Sequence, residues 1–183
     1  MEAEHPGTPR LYPDRKFNTP DRRARFEPAP HQGLKEPPGA QYPLVLSTGR
    51  IKNQWHTMTR TGRSEKLMRG LEDGPFVELH PEAAGEAGIK NGQKVRVTSA
   101  RGAFLARAVV TEDVEPGTAF VPFHWGELWT DGGVVNEATH GYADPISGQP
   151  ELKGAAVRIE AVADEAGERE PAREDHLSTW DGG

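Results

Sequence analysis

Apolar residues recur through the middle of the chain at a spacing of two, in short runs separated by glycine turns. The cleanest run is Lys94-Val-Arg-Val-Thr-Ser99, where polar and apolar positions alternate as on a half-buried strand. Arg101-Gly102 then turns the chain into the apolar stretch Ala103–Thr111, so the two predict a β-hairpin. Further strands are expected at Tyr42–Ser47, Phe76–His80, Thr118–Phe123 and Ala155–Val162. The first should end at Thr48-Gly49, where glycine permits a sharp turn, and Thr118–Phe123 follows the turn Glu115-Pro116-Gly117.

Two short helices complete the pattern. Residues 64–70 offer Ser64 as N-cap and Gly70 as a stop, while Pro81–Gly88 places proline at the first helical position and glycine at the end, with His80 at its start. Residues 124–154 show no period and are rich in Gly, Asp, Asn and Trp, which is how a long loop lining a site reads. Six short strands with only two helices predict a mainly β fold, a closed barrel rather than an α/β sheet. No internal repeat is present.

The chain's 183 residues suffice for one domain with a core, yet Gly and Pro together number 37, so part of the length should be unpacked. Nine of the 16 prolines fall within residues 1–43, where helices and central strands cannot run. Residues 1–40 are therefore expected to form an extended, Pro-rich arm. Residues 164–183 hold seven acidic residues against Arg169 and Arg173, a charge of −5, and read as a disordered acidic tail. The folded domain is expected over 41–163.

With that tail set aside, almost nothing remains of the overall charge of −6, so net charge identifies no partner. Local charge says more. Between Arg50 and Gly70 stand six basic residues (Arg50, Lys52, Arg60, Arg63, Lys66, Arg69) against Glu65 alone, which suits an anion or, equally, a solvated basic face. Cysteine is absent, so this chain forms no disulfide and supplies no thiolate to zinc, to an iron–sulfur cluster or to molybdenum. No two of His5, His31, His80, His140 and His176 have metal-ligand spacing on an expected element, so no metal site is expected. With no apolar run near 18 residues and no leader at the start, a soluble cytoplasmic protein is expected, with neither membrane nor nucleic acid as partner.

The richest chemistry lies in Thr48–Arg63, TGRIKNQWHTMTRTGR. A strand running into glycine and then basic residues is a layout for phosphate: Arg50 can pair with a phosphate bidentately, and Thr57, Thr59 and Thr61 offer short hydroxyl donors. By spacing alone, a basic loop ahead of a helix cap fits as well.

This segment resembles the opening of the molybdopterin dinucleotide-binding domain of molybdenum enzymes, and QWHTMTRTG resembles the assimilatory nitrate reductase form. The run HPEAAGEAGIKNGQKVRVTSARG, the segment FVPFHWG, Asn136 and DPISGQPELKGAAV follow in the family's order, and Phe17–Pro28 resembles its approach, so the likeness spans roughly residues 10–162. It implies a six-stranded double-psi β-barrel closing over bis-molybdopterin guanine dinucleotide. In the resembling enzymes Thr48, Gly49 and Arg50 match positions near the phosphates, Ile51 and Gln54 lie within the wrap, and Trp55, His56 and Thr57 lie further along the cofactor. Asn136 and Lys153 match isolated contacts from late loops. Phe123 matches a wall of the substrate funnel, and His124 a polar position beside it. The family's usual Leu is replaced by Ala138, which predicts looser packing around Asn136.

The resemblance also implies partners: the remaining domains or large subunit of the molybdoenzyme, which would ligate molybdenum and a 4Fe-4S cluster, so this chain would not be catalytic alone. Two other readings stay open. One is the same domain of a formate dehydrogenase-type molybdoenzyme; the other is a free-standing barrel that serves as an interaction module.

Overall fold

A computed structural model describes residues 7, 9–28, 30–69, 71, 74–127 and 130–163. The chain divides into two compact units, residues 1–33 and 34–183. Among the described residues of the first there is no helix or strand, in keeping with its prolines, but the segment is folded locally into turns. Arg15 N–H donates to Tyr12 O, Arg22 N–H to Thr19 O, and the Tyr12 and Phe17 rings lie 4.8 Å apart. The expected acidic tail, 164–183, lies outside the described residues.

The second unit is built on six strands: β1 Leu44–Gly49, β2 Phe76–Leu79, β3 Lys94–Thr98, β4 Ala103–Val110, β5 Thr118–Pro122 and β6 Ala155–Ala161. They close in the order β1-β5-β2-β4-β3-β6, the six-stranded barrel that the resemblance implies. Closure leaves no edge, so every strand is paired on both sides. Two pairs, β1 with β5 and β2 with β4, are parallel; the other four are antiparallel.

Alternation in the sequence becomes inside and outside. Val95 and Val97 are fully buried between exposed Lys94 and Arg96, and Phe104, Ala106 and Ala108 alternate in the same way on β4. With Leu46, Val77, Leu79, Val121 and Val157 they form one cluster, in which each buried Val or Leu contributes roughly 1.5–3 kcal/mol. Alanines 106, 108, 119 and 155 belong to the same buried cluster, small side chains in the interior of a small barrel.

The hairpin at Arg101-Gly102 forms as expected. The second helix, α2 (Pro81–Glu86), also forms as expected, and His80 Nδ1 accepts the Glu82 N–H at 3.3 Å. Two details differ. β1 runs on through Gly49, because parallel pairing with β5 extends to Gly49↔Pro122. Gly49 has no positive φ; it is required because a Cβ there would lie 2.5 Å from Phe120 Cε2. The first helix, α1, is a single turn, Glu65–Met68, and Ser64 caps it by position without a side-chain hydrogen bond. Its expected stop, Gly70, lies outside the described residues. Two 3-10 turns, Thr61–Arg63 and Val135–Glu137, have too short a pattern to be legible beforehand.

Candidate functional site

Strand direction gathers the candidate residues. β1 and β5 are parallel and end together, at Gly49 and Pro122. β6 runs against β1 and begins beside it, with Ala155 opposite Leu46. β2 runs against β5 and therefore starts at the same end, where the Phe76 and Trp125 rings meet edge to face at 5.8 Å. β4 is parallel to β2, so it also starts there, and its Leu105 N–H donates to Gly132 O at 2.8 Å. The loops around 50–63, 123–127, 132–140 and 149–154 thus lie at one end of the barrel, and together with Thr48 and Gly49 at the end of β1 they carry every candidate.

The 50–63 loop is built of two successive turns. Gln54 N–H donates to Ile51 O and Met58 N–H to Trp55 O, each at 3.1 Å. The N–H groups of the central residues Lys52, Asn53, His56 and Thr57 take no part in these closing bonds. Gln54, 2% exposed, locks the loop from beneath: its Nε2 donates to Leu67 O at 3.1 Å and its Oε1 accepts from Thr61 Oγ1 at 2.6 Å. Thr61 Oγ1 in turn accepts the Trp55 N–H at 3.2 Å, so this hydroxyl is engaged inside the loop rather than offered to a ligand. Met58 is buried with φ 57, a conformation costly for a side-chain-bearing residue, and its burial holds the loop's far end down.

His124 joins this loop to the end of β5. Its Nε2 accepts the Ile51 N–H at 2.8 Å, which leaves the proton on Nδ1, which donates to His56 O at 2.9 Å. Burial is the main cause of its lowered pKa, so it is neutral near pH 7. With both nitrogens committed, His124 holds the loop's shape and is not free to move a proton.

The candidates therefore divide by burial. Thr48, 3% exposed, donates its hydroxyl to Leu152 O at 2.9 Å and so ties the end of β1 to the residue before Lys153. Thr48, Gln54 and His124 are scaffold. Arg50, Trp55, His56, Thr57, Asn136 and Lys153 are exposed, and Ile51 and Phe123 half-buried. The Trp55 and His56 rings lie 5.8 Å apart and the His56 and Phe123 rings 5.5 Å apart, and exposed Arg50 and Lys52 stand on the same loop as Trp55 and His56. Cationic donors next to planar rings are the donor set that a nucleotide's phosphates and bases require. Ala138, beside Asn136, is completely buried in the core cluster, and its carbonyl accepts from Arg101 Nη2 at 3.0 Å.

A polar joint beside the late loops had no signal in the sequence. Arg101 grips both carboxylate oxygens of Glu36, at 2.8 and 2.7 Å, and its Nε donates to Thr139 O at 2.8 Å. The hydrogen bond from Arg101 is the largest cause that lowers the Glu36 pKa. Buried His140 stands 3.4 Å from Glu151 Oε2, out of hydrogen-bonding alignment, with its ring against Tyr142. Glu36 and Arg101 are 65 residues apart, and no local pattern announces their pairing. Among the described residues no group of His, Asp and Glu could hold a metal ion.

Residues 44–156 match the family model described as the Molydopterin dinucleotide binding domain. The chain is 45% identical to a nitrate reductase of Synechocystis sp. over 162 residues, 88% of this chain and 22% of that protein. It is 37% identical to the F420-dependent formate dehydrogenase subunit alpha of Methanocaldococcus jannaschii, covering 88% of this chain and 23% of that one. Acetylene hydratase from Pelobacter acetylenicus shares the fold, with a TM-score of 0.53 and 22% identity over 66% of this chain and 18% of that chain. The chain thus spans less than a quarter of the length of these relatives.

Proposed function

Because the chain belongs to the molydopterin dinucleotide binding domain family, we propose that it holds molybdopterin guanine dinucleotide as the C-terminal domain or a split subunit of a nitrate reductase-type molybdenum oxidoreductase. The observation that carries this reading is that exposed Arg50, Trp55 and His56 stand on a loop braced from beneath, with the His56 ring 5.5 Å from that of half-buried Phe123 after β5. Arg50 and the central N–H groups of the two turns meet the phosphates, and the rings lie along the flat parts of the cofactor. Asn136 and Lys153 add single polar contacts from the opposite loops. When bound, the cofactor supplies two-electron redox chemistry at molybdenum. This chain's residues bind it, orient it and screen it from water, and Phe123 forms part of the wall towards the substrate.

The chain contains no cysteine, so the ligands for an iron–sulfur cluster come from the rest of the assembly, and this chain alone is not catalytic. Nitrate is preferred to formate on the QWHTMTRTG wording and on the higher identity to a nitrate reductase, 45% against 37%. The formate reading rests on that second relative. A calorimetric titration of the full chain with GDP tests the binding reading: saturable binding that Arg50→Ala weakens is expected, and no binding at millimolar GDP overturns it. Nitrate and formate turnover by the assembled enzyme separates the two substrates.

A further inference from the structure

The segments bearing Asn136 and Lys153 leave the barrel at different points, yet both are tied to the same two side chains. Arg101, in the β3–β4 turn, donates to Ala138 O at 3.0 Å and to Thr139 O at 2.8 Å. Thr139 is bonded back to Asn136, whose carbonyl accepts from Thr139 N–H at 3.3 Å and from Thr139 Oγ1 at 2.9 Å. On its other side the Arg101 guanidinium holds Glu36, and Glu36 Oε2 accepts the Ala156 N–H at 3.0 Å, just beyond Lys153. The neighbouring Lys35 N–H reaches Glu151 Oε2 at 3.4 Å, just before Lys153, so this strap brackets the lysine.

Exposed Asn136 and Lys153 get little placement from packing of their own side chains; their backbones place them. We propose that the Glu36–Arg101 pair is a positioning clamp that sets Asn136 relative to Lys153, so that the two reach one dinucleotide together. The proposal rests on the dinucleotide-binding reading above. The pair suits the role chemically. The Glu36 and Arg101 side chains are 21% and 32% exposed, drawn partly out of water, and a two-pronged guanidinium–carboxylate contact fixes direction as well as distance. Lysine cannot replace it, since one ammonium cannot serve a carboxylate fork and two carbonyls in that plane.

The test uses the full chain with Glu36→Gln, Arg101→Lys and, as a control, Glu160→Gln, which removes an exposed ion pair lying within β6. Amide hydrogen exchange without ligand should quicken together at 136–140 and 151–156 in the first two variants, with β1 and β3 unchanged. GDP affinity should fall about threefold to tenfold, the scale of a lost supporting hydrogen bond at a partly exposed site. Asn136→Ala should then cost less affinity in Arg101→Lys than in the parent. Glu160→Gln should change none of these. Glu36→Gln is nearly isosteric and keeps the test open should Arg101→Lys fold poorly. If the parent binds no GDP, the binding reading fails while exchange still reads the clamp. Quickening in one loop only or in neither, or loosening of both loops with unchanged GDP affinity, overturns the proposal.

Discussion

The imidazole of His124 accepts the backbone N–H of Ile51 at 2.8 Å and thereby fixes where the 50–63 loop leaves β1. Its other nitrogen donates to His56 O, so one buried ring braces both turns of that loop. The arrangement requires neutral imidazole. Because its folded-state pKa is lowered, the unfolded chain binds the proton more tightly. The stabilisation is complete above the ordinary histidine value of 6.5 and is lost as pH falls towards the lower folded-state value. Urea unfolding of parent and His124→Gln between pH 8 and about 5 checks this: the parent should lose its advantage over the variant on acidification, and a constant gap would refute it.

Scaffold and contact residues should separate in experiment. Thr48→Val keeps the shape but removes the donor to Leu152 O, and should cost about 1 kcal/mol of stability in thermal or urea unfolding. Arg50→Ala, on the exposed surface, should change stability by less than about 0.5 kcal/mol. Its GDP affinity should drop about tenfold, the scale of a charge-assisted contact.

Gln54 is the keystone between the loop and α1. Gln54→Ala leaves Leu67 O and Thr61 without their partner and should destabilise by about 1–3 kcal/mol. The damage should be local. Limited proteolysis is expected to cut first between residues 59 and 69, with barrel amides still protected.

Two glycines with similar backbones should respond differently to alanine. Gly148 has φ 69 and open space around it, so Gly148→Ala should cost only the left-handed penalty, about 1 kcal/mol. Gly133 has φ 86, and a Cβ there would stand 2.7 Å from Ala103 O, a backbone atom that cannot swing away. Gly133→Ala should lose about 2–4 kcal/mol and displace the segment that leads to Asn136. Melting temperatures of the two variants provide the comparison.

The sequence alone determined the strands, the hairpin at Arg101-Gly102 and the capped helix at Pro81, because period-2 alternation, glycine turns and N1 proline act between near neighbours. It also marked Thr48–Thr57, since Arg, Trp and His next to a strand end carry their chemistry in their identities, whereas Asn136 and Lys153 stood out only through the family resemblance. It could not divide those residues into scaffold and contact. Thr48 is occupied by Leu152, 104 residues on, and His124 by Ile51, 73 residues back. Only closure of the barrel decided those pairings, as it decided that Glu36 should meet Arg101. The side a residue takes within a strand follows from its nearest neighbours, whereas a buried polar group's role follows from whichever distant group satisfies it, and that is chosen by strand order.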